Sequence, residues 1–449
     1  MTELELDDIE LTSEFKSALR ELDYGTSHVL VTGRAGTGKS TLLRYFCEHH
    51  LEQPVVLAPT GVAALTVEGQ TIHSFFRFGP NVTPDSLRQS PGWMSGRRRR
   101  LMKKLDTIVI DEVSMLRADL LDCIDVILRK HGPRQGLPFG GVRLVMFGDL
   151  YQLPPVVPKD ERQFFSGPPW YNSQYFFDAE AFRSGPGDLR SRLKVINLTR
   201  IFRQVDGRFV ALLNRIREGI SDRRDLELLN QRVRPSSDIP KRDYYVVLTG
   251  SNKDADSING ARLREVAGRN RIWLSKASIT GECKRENERA PRNLRFCVGA
   301  QVMMVHNDAD RRWVNGSLGI VTDIQGTSSP KQVHVRLKDG PHAVVKRQVW
   351  EIFKYQVEMG KILPVRIGTY SQFPFRLCWA ITIHKSQSKT FDHMAINLRR
   401  AFAYGQTYVA LSRCTSLEGI DLFRPLTSHS VFCDPRIGKF LDEVGLKNS

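Results

Sequence analysis

Residues 33–40, Gly-Arg-Ala-Gly-Thr-Gly-Lys-Ser, have the composition and spacing of a phosphate cradle. Glycines let a backbone wrap an anion with its N–H groups, and a helix that follows points its positive end at the same place. Lys39 would then reach the β- and γ-phosphates of a nucleoside triphosphate, and Ser40 would offer its hydroxyl to Mg2+. Gly33, Ala35, Gly36, Thr37, Gly38, Lys39, Ser40 and Thr41 are the candidate nucleotide-binding residues, with ATP and Mg2+ as the expected cofactors. The competing reading is a plain glycine-rich turn; a strand pattern before it and a helix pattern after it weigh against that. Asp111-Glu112 follows the apolar run 107–110. A carboxylate pair at the end of a buried strand suits a Mg2+-linked Asp111 and a Glu112 that takes a proton from an attacking water. An acidic helix start is the alternative. Gln152, in the segment GDLYQLPP at 148–155, could orient that water or sense the γ-phosphate, although a lone glutamine there is more often a surface residue.

These groups need a scaffold that holds them together. Residues 28–32, 55–58, 107–110 and 143–147 read as short apolar strands, with a helix at 39–49. Strands of this kind separated by helical patterns predict an α/β fold with a parallel sheet covered on both faces. Residues 77–104 break the pattern, are rich in Pro, Gly and Ser, and end in Arg97, Arg98, Arg99 and Arg100; they read as an insertion or loop. Residues 158–190 read as a connector folded against a surface. A second alternating region begins near Leu193, with strands at 194–198 and 244–248 and helices at 209–217 and 254–266. From 294 to 367 the period drops to two, with hairpin cues at Asn315-Gly316 and Asp339-Gly340, which predicts a small antiparallel barrel. An apolar strand at 377–383 and another at 395–398 follow.

The chain has 449 residues, so roughly three domains of ~150 residues are expected. Hydrophobic residues make up 41% and charged residues 26%, which argues against extensive disorder. A net charge of +17 points to a polyanionic partner such as nucleic acid. No apolar run approaches the ~18 residues that a membrane span needs, and no membrane partner is expected. Glu3, Glu5, Asp7, Asp8 and Glu10 make the start acidic, the opposite of a basic signal or transit peptide. The seven cysteines are scattered and form no Cys-x-x-Cys pair, which fits free thiols in a reducing compartment.

Several segments, taken in order, resemble the Pif (petite integration frequency) type of superfamily 1B helicases, related to RecD. They are GRAGTGKS at 33–40, APTGVAAL and TIHSFF within 58–76, DEVSM at 111–115, and PFGG through GDLYQLPP at 138–155. LTRIFRQ at 198–204, GAQVMMVHN at 299–307, VNGSLGIV at 314–321, TIHKSQ at 382–387 and YVALSRCTSLEGI at 408–420 continue the series. The resemblance implies two RecA-like lobes with ATP between them, at 1–190 and at 191–293 with 368–449. It implies a small wedge within 77–104 and an inserted β-barrel at 294–367. It also implies 5′-to-3′ translocation on single-stranded DNA and unwinding of duplex or structured DNA.

By the same resemblance, Arg203 and Arg413 would act as arginine fingers and Gln387 would join the nucleotide site. Pro59, Thr60, Gly61, Val62, His73, Ser74 and Phe75 would contact DNA from the first lobe, with Phe75 either stacking a base or packing in the core. Thr382, His384 and Lys385 would do so from the second. The family's partners are single-stranded, forked or structured DNA, G-quadruplexes included, met by a monomer when translocating. Its roles include DNA repair, recombination and telomere maintenance. A cytoplasmic, nucleoid-associated location would follow for a prokaryotic or phage source, and a nuclear one for a eukaryote. Two positions depart from the family pattern. Phe15 stands where an adenine-reading Gln is usual, and Ser388 where Gly is usual. A nucleic-acid-stimulated ATPase that binds or remodels without unwinding, or an RNA helicase, are the alternatives. Residues 1–190 carry 22 Lys+Arg and 24 Asp+Glu, against 44 and 25 in residues 191–449, so the positive surplus lies in the second part.

Overall fold

The computed structural model describes residues 12–446, apart from 51–53, 80–81, 90–93, 183–192, 205, 236–241, 285–287, 339, 341, 359–360, 388 and 399–402. Six parallel strands form the first sheet: β1 (Val29–Gly33), β2 (Val55–Ala58), β3 (Gln70–Thr71), β4 (Thr107–Ile110), β5 (Arg143–Phe147) and β6 (Lys194–Leu198), in the order β3-β2-β4-β5-β1-β6. Alternation decides which core each side chain enters. Leu30, Ile108 and Ile110 face one apolar core, while Val29, Val31 and Val109 face the other. Such two-sided burial needs the continuous apolar strands seen in the sequence.

β7 (Val246–Thr249) opens a second parallel sheet, which ten strands then interrupt. These are β8 (Trp273–Lys276), β9 (Ser278–Gly281), β10 (Asn293–Phe296), β11 (Gln301–Met304), β12 (Leu318–Gly326), β13 (Pro330–Leu337), β14 (His342–Val345), β15 (Gln348–Glu358), β16 (Lys361–Gln372) and β17 (Phe375–Leu377). The second sheet closes with β18 (Ala380–Thr382), β19 (Met394–Asn397) and β20 (Ile420–Leu422), in the order β18-β7-β19-β20. Inside the insertion, β14-β13-β12-β11-β17 form one antiparallel sheet over a core that includes Phe296, Trp313 and Phe375. β15 and β16 form a long hairpin flanked by β9, and β10 pairs with β8.

Four features depart from the sequence expectations. β6 pairs with β1, so the first sheet extends past residue 190. The inserted strands run from Trp273 to Leu377, wider than 294–367. The apolar run 377–383 is divided between β17 in the insertion and β18 in the second lobe. Residues 77–104 are not a plain loop: they contain the helices Pro84–Gln89 and Gly96–Lys103, pinned by Leu87, Met94, Leu101 and Met102 in the first-lobe core. The C-terminal helix Pro435–Glu443 also packs on the first lobe. Phe440 stacks on Phe177 at 4.3 Å, and the Tyr175 hydroxyl donates to Asp434 at 3.1 Å. The connector after β5 supplies Phe165, Tyr175, Phe176, Phe177 and Phe182 to that core.

Candidate nucleotide cleft and nucleic-acid interface

β1 ends at Gly33, the loop turns through Gly36 and Gly38 at φ 84° and 82°, and the helix Lys39–His49 begins. Glycine is required here by space as well as by backbone angle. A Cβ on Gly36 would lie 2.7 Å from Arg203 Cβ, and one on Gly38 would lie 2.8 Å from the Phe15 ring. The Thr37 hydroxyl donates to Arg34 O at 2.9 Å. Lys39 Nζ donates to the carbonyls of Gly33 and Arg34 at 2.7 and 2.8 Å. Burial pushes the Lys39 ammonium down to about 8, against the pull of Asp149 and Glu112. A phosphate in the loop would add to the counter-charge that Asp149 and Glu112 supply. Ser40 and Thr41 follow in the first helical turn.

β4 delivers Asp111 and Glu112 to the same cleft. Glu112 sits in the left-handed region at φ 49°, a strained backbone for a non-glycine residue. Burial, with Glu112 beside it, pushes Asp111 up to about 7. Burial raises Glu112 as well, with Lys39 and Arg413 pulling the other way. Asp111 and Ser40 offer hard oxygen donors, and among the described residues no group of three or more His, Cys, Asp or Glu could hold an ion unaided. An ion here must complete its shell with phosphate oxygens and water, as Mg2+ does.

The second lobe closes the cleft. Phe202 N donates to Gly36 O at 2.8 Å, which lays residues 202–204 along the phosphate loop. Arg203 reaches Ser412 O at 3.3 Å, and Gln204 reaches Ser412 O and Cys414 O, each at 3.1 Å. Burial and the nearby Arg413 push Arg203 down to about 9. Arg413 is 1% exposed and bonds to Val409 O and Ser412 Oγ at 2.9 and 2.8 Å. The buried Arg413 and the half-buried Arg203 guanidinium groups, beside a phosphate cradle, repel each other until an anion lies between them. Gln152 is buried, with Nε2 3.4 Å from Asp149 Oδ2, and Gln387 Nε2 lies 3.5 Å from Gln152 Oε1. Gln152 is thus no surface-loop residue. Three residues that sequence reasoning passed over also meet here: Asp149, Arg217 and Tyr408. Asp149 and Tyr408 lie within motif segments; Arg217 had no signal.

The expected DNA residues are brought together only in part. Thr60 and Thr71 cap short helices, their hydroxyls each accepting at 3.2 Å from Ala63 N and Ser74 N. Pro59, Gly61, His73 and Ser74 are half-buried, and the Val62 side chain lies outside the description. Phe75 is 2% exposed and meets Phe76 edge-on at 4.9 Å, so the base-stacking expectation is corrected: its ring fills the core. Thr382 is buried and its hydroxyl accepts from Lys385 N at 3.3 Å. His384 and Lys385 are half-buried, and Lys385 Nζ donates to Asn252 Oδ1 at 2.7 Å. Ser388 lies outside the described residues.

Sequence reasoning missed a row of cations between these segments. Arg289 donates to Leu65 O at 2.6 Å, linking the insertion to the first lobe's helix Gly61–Thr66. Arg376 donates to Arg289 O at 3.2 Å, and its Nε is buried without a partner. Lys389 donates to Asn315 Oδ1 at 2.8 Å. Burial lowers Arg289 and Arg376, and burial with repulsion from Arg376 pushes Lys389 down to about 8. Arg98, on the helix Gly96–Lys103, donates to Phe75 O and keeps Nε and one terminal nitrogen buried without partners. Burial and Arg77 push it down to about 10. The arginine run is therefore not uniformly solvated.

Comparison with known proteins agrees with this geometry. A family model described as PIF1-like helicase matches residues 10–225. The human ATP-dependent DNA helicase PIF1 is 34% identical over 96% of this chain, which spans 63% of that relative's length. The Bdellovibrio bacteriovorus ATP-dependent DNA helicase Pif1 is 32% identical over 96% of this chain and 92% of its own length. Pif1 from a Bacteroides species in complex with ADP-AlF4 superposes with a TM-score of 0.86 at 34% identity, covering 98% of this chain and 99% of that one. Bacteroides Pif1 bound to single-stranded DNA gives 0.67 at 35% identity, covering 97% of each chain. The chain belongs to the PIF1-like helicase family.

Proposed function

We propose that this protein is an ATP-driven DNA helicase that moves 5′ to 3′ on single-stranded DNA and separates duplex or structured DNA, G-quadruplexes included, working as a monomer. The observation that carries the reading is the half-buried cation row Arg289–Arg376–Lys389, hydrogen-bonded to neutral acceptors between the two DNA segments. Carbonyls and an amide offset such charges weakly, so a phosphate backbone passing the row would be bound strongly and without regard to sequence.

Hydrolysis belongs to the cleft. Lys39, Arg203 and Arg413 would stabilise charge on the γ-phosphoryl oxygens, and Glu112, whose proton affinity burial raises, would take the proton of the attacking water. Ser40 and Asp111 would hold Mg2+, whose chemistry is to neutralise charge on the β- and γ-oxygens. Gln152 and Gln387 would orient the water and the terminal phosphate. Arg413 comes from the second lobe, so hydrolysis waits for the lobes to close, which links chemistry to stepping. With Phe15 packed on Gly38 in place of an amide, triphosphates besides ATP should also be hydrolysed. The test is steady-state hydrolysis with and without single-stranded DNA and RNA. DNA should raise turnover, Lys39→Ala should abolish it, and Glu112→Gln should bind ATP without turning it over. Turnover retained in Lys39→Ala would refute the site.

A further inference from the structure

Asp149 follows β5 and has no exposed surface. Arg217 Nε and a terminal N–H donate to its Oδ1 at 3.2 and 3.0 Å, as does Tyr151 N at 3.2 Å. The Tyr408 hydroxyl donates to its Oδ2 at 3.0 Å, where Gln152 also points at 3.4 Å. Arg217 lies 4.2 Å over the Tyr151 ring. Burial opposes ionisation of Asp149, yet Arg217 and Lys39, with the hydrogen bonds from Arg217 and Tyr408, hold its carboxyl below the usual range.

An ionised carboxylate only accepts, so the single Tyr408 proton must go to Asp149. The Tyr408 oxygen is then free to accept from Ala35 N, 3.0 Å away in the phosphate loop. The direction of the chain is settled: loop amide to Tyr408, Tyr408 to Asp149, with Arg217 on the far side. Ala35 and Asp149 belong to the first lobe. Tyr408 and Arg217 stand on second-lobe helices, Gln406–Leu411 and Gly207–Glu218. The first of these helices runs straight on to Arg413.

We propose that Tyr408 and Arg217 are positioning residues that transmit the placement of the second lobe to the phosphate loop through Asp149, so that DNA held by the second lobe sets the rate of ATP hydrolysis. A shift of the helix Gln406–Leu411 would alter three things together: the Ala35 amide, the Gln152 side chain tied to Asp149, and the Arg413 guanidinium. Neither Tyr408 nor Arg217 has to touch the reacting phosphoryl group. The inference rests on the helicase reading above.

Tyr408→Phe keeps the ring and removes only the hydroxyl. Its kcat should be measured with and without saturating single-stranded DNA, alongside KM for ATP and the melting temperature. The ratio of stimulated to unstimulated kcat should fall by about fivefold or more, with KM and melting temperature nearly unchanged. Arg217→Lys keeps the charge but cannot place two N–H groups on one carboxylate oxygen, so it must lower the same ratio; it decides the matter if Tyr408→Phe does not fold. A ratio within about twofold of the unaltered chain in both variants would overturn the inference, as would equal losses with and without DNA. Absence of DNA stimulation in the unaltered chain would instead overturn the helicase reading, and this inference with it.

Discussion

Lys39 and Arg413 in the nucleotide cleft lie within electrostatic reach of Glu112 and Asp149, whereas Lys389, Arg376 and Arg289 at the DNA seam hydrogen-bond to one side-chain amide and two backbone carbonyls. Arg413 is buried, and the other four are half-buried. In the cleft, carboxylates offset the cations, and the arrangement can turn over: an anion enters, reacts and leaves. At the seam Glu68 offsets Arg289 in part; the rest of the offset must come from outside, and a continuous polyanion would supply it while sliding. On the proposed function the cleft does the chemistry and the seam grips, and each should fail in its own way when altered.

The largest effect should come from Arg413→Ala. Turnover should fall about 10³-fold, in line with an arginine finger, while single-strand affinity stays nearly intact. A large loss of affinity instead would move Arg413 to the seam. Lys389→Gln should do the reverse. DNA-saturated kcat should hold, affinity should drop, and the slope of log affinity against log salt should become shallower by about 0.7, the value for one single-strand phosphate contact. A pH titration sharpens the same point. Burial and repulsion from Arg376 push Lys389 down to about 8, so its charge is lost as pH rises through that value. DNA affinity should therefore weaken as pH rises through 8, and Lys389→Gln should flatten that part of the profile. The smallest effect is expected from Phe75→Leu, which should cost about 1 kcal/mol of stability with DNA affinity unchanged. A stacking ring would instead show as a loss of ~1–3 kcal/mol in binding.

The chemistry of the cleft was far more legible in the sequence than the seam. Strands β2, β4 and β5 and the helix Lys39–His49 fall at the residues their apolar runs mark, because two-sided burial leaves a continuous pattern. Asp111 and Glu112 follow β4 directly, Lys39 follows β1 across the phosphate loop, and the three share one cleft. The seam was not legible because Arg289, Arg376 and Lys389 come from separate segments that only tertiary folding unites. The same holds for β6, whose partner β1 is fixed by sheet order, and for the helix Pro435–Glu443, whose Phe440 finds Phe177 across the chain. The helices within 77–104 are short and arginine-rich, which hides their apolar anchors Leu101 and Met102. Phe75 was open between core and base because one ring suits both. With β6 returned to the first lobe, residues 1–198 hold 24 Lys+Arg and 24 Asp+Glu, and the whole +17 lies beyond them. The neutral part carries the phosphate loop, and the cationic part is expected to contribute most of the grip.

Strand release from matched duplexes with a 5′ or a 3′ single-stranded tail, in the presence of ATP, tests the account most directly. The 5′-tailed duplex should be unwound and the 3′-tailed one left paired, with Lys39→Ala inactive on both. DNA-stimulated hydrolysis without release of either strand would contradict it.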